Sequence, residues 1–137
     1  MNMDKRPVHD YYWIAAIVFM ICVLFSCNAR AQTTCNDWSR KDIRKEVAYQ
    51  TLHGLDWLQT KEIARNPDYI ELNPILGQDP TQGEVDKYFM ITGLLHAGVS
   101  CSLSKETREI WLNSSIMFQS IVVLSNIRKG IQFKIKF

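Results

Sequence analysis

The sequence predicts an all-α protein: a small three-helix, membrane-associated bundle that follows an N-terminal signal segment and ends in a short extended tail. Three observations carry this. Residues 11–26 (YYWIAAIVFMICVLFS) hold no charge behind a mildly basic start at Lys5 and Arg6. Caps, prolines and a glycine divide the rest into three long segments. Two of those segments have uncharged interiors, residues 88–104 and 110–127, at the lower edge of bilayer-spanning length.

Composition bounds the answer. A chain of 137 residues with 47% apolar and 22% charged residues makes one ordinary domain and is too hydrophobic for disorder. A net charge of +2 is too weak for a nucleic-acid footprint. Two units are expected, residues 1–31 as signal or anchor and residues 32–137 as a single helical domain.

The first unit has three open readings. Ala29 and Ala31 are small residues where signal peptidase accepts them, placing cleavage before Gln32. Leu24, Phe25, Ser26 and Cys27 resemble a bacterial lipobox, in which Cys27 is lipidated and becomes the mature N-terminus. The uncharged stretch also continues to Ala29, long enough to stay as an uncleaved anchor. All three export the body of the chain to the bacterial cell envelope, at the inner membrane or on its periplasmic side. There Cys35 and Cys101 form an even pair in an oxidising space, a candidate disulfide.

The first helix is expected over residues 37–66. Asp37 or Ser39 caps it, Pro67 stops it, and Ile43, Val47, Leu52, Leu55 and Leu58 form an apolar stripe along one face. A turn-rich connection follows, with Pro67, Pro74, Gly77 and Pro80. Thr81 and Glu84 are spaced as a capping box that opens the second helix, where Gly93, Ala97 and Gly98 invite close helix approach. Ser104 caps the third, whose interior holds Asn113, Gln119 and Asn126 and which Gly130 ends. The tail alternates through Ile131, Phe133, Ile135 and Phe137 as a short strand. Trp38, Trp57 and Trp111 fit either a membrane interface or ordinary packing. Basic residues lie on both sides, Arg40, Lys41, Arg44 and Lys45 against Arg128, Lys129, Lys134 and Lys136, so charge leaves topology open.

Candidate chemistry is confined to polar residues in apolar surroundings. His53, Asp56 and Thr60 share one helix face; Glu71 and Asn73 lie in the loop; His96 and Gln119 sit inside the later helices. Histidines and carboxylates are the groups of metal and acid–base sites, but these spacings match no ligand pattern, and a polar cluster satisfying itself accounts for them equally. No catalytic, metal or cofactor site is assigned. Phosphate loops, dinucleotide fingerprints and nucleophile elbows are absent from the sequence.

The segments LDWLQT at 55–60, IARNP at 63–67 and ELNPILG at 71–77, with Tyr88, Phe89, His96, Gln119, Asn126 and the 130–137 tail, resemble a group of small phage and bacterial proteins described as membrane proteins. The pairing of Asp-x-x-x-Thr with Glu-x-Asn-Pro-Ile-Leu-Gly is the distinctive part. The resemblance implies a helical, membrane-associated fold and supplies no activity. The function expected is that of a non-enzymatic envelope protein acting through contacts with membrane lipid, with envelope proteins or with itself, in a phage setting lysis or superinfection exclusion. Two alternatives stay open. One is a spanin-like lysis lipoprotein with a C-terminal transmembrane helix. The other is a membrane-embedded enzyme or metal site using His53, Asp56, Glu71 and His96.

Overall fold

Three hydroxyl side chains start the three helices. Ser39 Oγ accepts from the Asp42 amide while Asp42 reaches back to the Ser39 amide, a reciprocal capping box that opens α1 (Arg40–Ile63). Thr81 and Glu84 do the same for α2 (Gln82–Ser102), as their spacing predicts. Ser104 accepts from the Thr107 amide at the head of α3 (Lys105–Arg128). The computed structural model describes residues 37–131. The signal segment, Cys27, Cys35 and the extended tail beyond Ile131 lie outside the described residues. The chain divides into two units, Met1–Arg30 and Ala31–Phe137, and the three helices belong to the second.

The helix ends are as specific. Ala64 caps α1 before Pro67 is reached, and Asp37 is not the N-cap. At the end of α3, Gly130 takes φ +79°. The Ile131 amide then bonds the Asn126 carbonyl and the Gly130 amide bonds that of Ile127, a Schellman closure that tucks Ile131 inside. Only Leu103 and Ser104 join α2 to α3. Arg108 makes this joint possible, because its Nε and Nη2 donate to the carbonyls of Ser100 and Leu103, each at 2.8 Å, and so satisfy the end of α2.

The helices run up, down, up. Asp86 of α2 meets Lys61 near the end of α1, whereas Ser100 meets Glu46 near its start. Lys41 and Lys45 of α1 share Glu109 near the start of α3. Helix α1 lies between the other two, which touch each other least. Among the described residues the fold is all-helical.

The apolar stripe of α1 is largely exposed, with Ile43 48% and Val47 59% exposed, Leu58 also exposed, and Leu52 and Leu55 half-buried. Its buried face holds Asp42, Glu46, Tyr49, His53, Gln59, Thr60 and Ile63 instead. Helices α2 and α3 complete the inversion by turning Ile91, Leu94, Leu95, Met117, Phe118 and Ile121 outward. Among the described residues ten polar or charged residues are buried against nine apolar ones, the reverse of an ordinary soluble core.

Small residues matter at one of the two expected glycines. A Cβ on Gly93 would meet Gln50 Oε1 at 3.1 Å and the His53 ring at 3.4 Å, whereas Gly98 is exposed with nothing within 4 Å. Gly93→Val is therefore expected to destabilise the bundle by about 1–3 kcal/mol through overpacking. Gly98→Ala should stabilise it by about 0.5–1 kcal/mol through helix propensity. Thermal unfolding of both variants in detergent micelles checks the contrast.

Candidate functional site

The inward face of α1 presents an unusual series. Asp42, Glu46, Tyr49, His53 and Asp56 follow one another at alternating steps of four and three residues, the spacing of a coiled-coil seam. Such a seam is ordinarily apolar. Here each of these five positions carries an ionisable group. The sequence reading singled out His53, Asp56 and Thr60 and missed Asp42, Glu46 and Tyr49, although extending the same spacing toward the N-terminus reaches all three.

The polar groups gather into two centres. In the first, Glu46 Oε1 lies 3.1 Å from His96 Nδ1 and accepts from Gln50 Nε2 at 2.7 Å. Its other oxygen accepts from Ser100 Oγ at 2.9 Å, and Ser100 Oγ accepts in turn from Trp111 Nε1 at 3.1 Å. The Tyr49 ring stacks on His96 with centroids 3.5 Å apart and stands 5.5 Å from His53. His53 Nε2 lies 3.1 Å from the Phe89 carbonyl, which can only accept, so Nε2 bears the hydrogen and Nδ1 is a bare acceptor. Both His53 Nδ1 and His96 Nε2 are buried with no hydrogen-bond partner among the described residues. Ser100 bonds a carboxylate rather than an imidazole, so this is not the arrangement of an activated serine.

The second centre lies toward the other end of the bundle. Gln119 Nε2 donates to Asp56 Oδ2 at 2.8 Å and Asn126 Nδ2 donates to Asp56 Oδ1 at 3.3 Å. Asn126 also donates to Gln59 Oε1, and Gln59 Nε2 reaches the Val123 carbonyl. Thr60 is buried on the same face, and Gln59 is fully buried. Of the polar positions expected inside α3, Gln119 and Asn126 face this centre while Asn113 is exposed.

Glu71 and Asn73 bond within their own loop. Glu71 Oε1 accepts from the Asn73 amide at 2.8 Å, and the Glu71 amide bonds the Gln78 carbonyl, so the motif closes its own loop. Asn73 Oδ1 accepts from the Ile75 amide, an Asx turn just ahead of the Leu76–Gly77 bend. Burial pushes the Glu71 carboxyl above its ordinary value, with bonds from the Asn73 and Leu72 amides and the charge of Lys129 opposing.

His53 and His96 are thus separated by the Tyr49 ring, Asp56 is held by α3 amides, and Glu71 belongs to the loop. These four residues do not converge, and no group of three metal-ligating side chains occurs among the described residues. Trp57 donates to Asp86 and Trp111 to Ser100, both packing roles. Cys101 is disulfide-bonded, while Cys35 lies outside the described residues. Compared with protein-family models, curated proteins and solved structures, the chain gives no match.

Because the folded pKa of Glu71 is raised, its protonated form is the one the fold favours. The stability it contributes is fully present below the ordinary value of 4.5 and is lost as pH rises through the folded value. Glu71→Gln keeps the acceptor for the Asn73 amide and cannot ionise. The melting temperature of the parent should therefore fall relative to that of the variant as pH rises from 4.5 toward neutrality, in thermal scans at several pH values.

Proposed function

We propose that the chain is a cell-envelope protein embedded in the membrane as a three-helix bundle, working through contacts with lipid and with envelope partners. The inverted distribution of side chains carries this reading. In water, an exposed surface bearing Ile91, Leu94, Leu95, Met117, Phe118, Ile121 and Leu124 around a buried polar interior would be a large unexplained liability. In lipid the same surface is matched to its solvent, and buried polar groups bonding between helices are the expected glue.

Charge placement supports the same conclusion. Uncharged belts run over residues 88–104 of α2 and its joint and 110–127 of α3, and on α1 residues 47–60 are uncharged apart from the inward-facing His53 and Asp56. At 1.5 Å per residue these belts measure about 21–27 Å, close to the ~30 Å hydrocarbon layer, with flanking Lys and Arg able to reach the interface. One rim holds Lys41, Lys45 and Glu109, the other Lys61 and Asp86. Helix α3 is long and apolar enough to cross unaided. On this reading α1 crosses by packing against it and α2 by packing against α1.

Orientation follows from the disulfide at Cys101, which sits at the α2 end beside the first rim and requires an oxidising compartment there. The opposite rim, with Arg128 and Lys129, then faces the cytoplasm.

Alkaline carbonate extraction tests the reading: the protein is expected to stay with the membrane pellet, and its release overturns embedding. Leu94→Asp and Ile121→Asp give a second check. A charge facing lipid at mid-helix costs about 2.5–3.5 kcal/mol each, whereas a water-facing substitution stays within about 0.5 kcal/mol. Both variants should sharply reduce membrane-inserted protein, measured by yield after carbonate washing.

A further inference from the structure

We infer that the ionisable seam of α1 is a proton path across the membrane, with Glu46 and His96 as its entry pair and Asp56 as its inner station. This rests on the membrane reading above. The seam from Asp42 to Thr60 covers about 27 Å of helix, close to the thickness of the hydrocarbon layer. Successive stations are separated by about 4.5–6 Å of helix rise, and the Tyr49 ring bridges the two histidines with its centroid 3.5 Å from that of His96 and 5.5 Å from that of His53.

The nature of the partners points to exchange rather than to static pairing. Permanent cations stand only at the ends of the seam. Arg108 Nη1 lies 3.8 Å from Asp42 Oδ2 at one end, and Lys129 acts on Glu71 at the other. Between them, Glu46 is paired with an imidazole, whose charge is itself switchable, and Asp56 with two neutral amides. The other titratable groups bearing on the seam are Tyr88 of α2 and Glu71 of the loop, both close enough to Asp56 for their charges to be felt there. His96 meets the requirement of a relay, with Nδ1 on Glu46 and Nε2 buried and unpartnered among the described residues, and His53 offers one bare acceptor, Nδ1, since its Nε2 is held on the Phe89 carbonyl.

The transfer step balances without any co-reactant. A proton on the Glu46 carboxyl moves to His96 Nδ1 as the O–H bond breaks and the N–H bond forms. The imidazolium releases its Nε2 proton inward, past Tyr49 and toward the His53 Nδ1 acceptor and Asp56, through intervening water. Tautomer exchange then resets the His96 ring. No bond between heavy atoms changes, and the transmembrane electrochemical gradient supplies the driving force.

The test uses the full chain in phosphatidylethanolamine–phosphatidylglycerol vesicles loaded with a pH-sensitive dye, with an inside-negative potential set by valinomycin and potassium. Protein-dependent acidification of the interior is expected. Glu46→Gln and Asp56→Asn should slow it on the order of a hundredfold, the usual contribution of a positioned proton donor or acceptor. Asp56→Glu, which keeps a carboxyl, and Lys41→Ala, at the rim, should retain it. Circular dichroism and carbonate washing of the same vesicles establish that each variant is folded and inserted. A parent that resists extraction yet passes protons no faster than empty vesicles overturns the proton path and leaves the membrane reading standing. Folded, inserted Glu46→Gln and Asp56→Asn variants with parental rates do the same. A parent that washes out of the vesicles overturns both.

Discussion

Taking the carboxylates of α1 out of water is the constraint on which this structure depends. A buried carboxylate without partners is among the most destabilising features a fold can carry. Glu46 and Asp56 therefore dictate what must stand opposite them. Glu46 takes His96 and Ser100 from α2; Asp56 takes Gln119 and Asn126 from α3. These bonds are directional, whereas contacts between apolar side chains tolerate sliding. The register of both neighbours against α1 is consequently set by polar pairs. This is also why α1, the most polar helix, sits between two more apolar ones that scarcely need each other.

The sequence discloses local features far better than distant ones. Caps at Ser39, Thr81 and Ser104 and the glycine stop at Gly130 are readable because each is decided within a few residues. Which way a face points is not local. The stripe through Ile43, Val47 and Leu58 is genuinely periodic, but a period names a face without naming the medium it meets, and in lipid the apolar face turns outward. The candidate polar residues were recognisable as odd in their surroundings. Their partners were not, since Asp56 and Gln119 meet across 63 residues of chain. Glu71 is the local case, its carboxylate bonded to an amide of its own loop.

Arg108 shows how the same economy works at the joint. A two-residue connection leaves the last carbonyls of α2 without amide donors, and a guanidinium with its fixed fork is the side chain that serves two of them at once. Its charge is offset by Asp42 at 3.8 Å, which also completes the capping box of α1. One ion pair thus links the start of α1, the end of α2 and the start of α3. All three ends lie at the same rim, so this pair does not enter the stretch between Glu46 and Asp56.

Inside that stretch the choice of amides over cations for Asp56 has a consequence of its own. An arginine or lysine partner would stabilise only the ionised carboxylate, and protonation would strand the buried cation. A carboxamide carries donors on one side and an acceptor on the other. Gln119 and Asn126 donate to the carboxylate as arranged here, and rotating either amide would offer its oxygen to a protonated carboxyl with little movement of the chain. The bundle therefore remains hydrogen-bonded in both protonation states. A seam built this way can gain or lose a proton at its centre without the helices that frame it having to part.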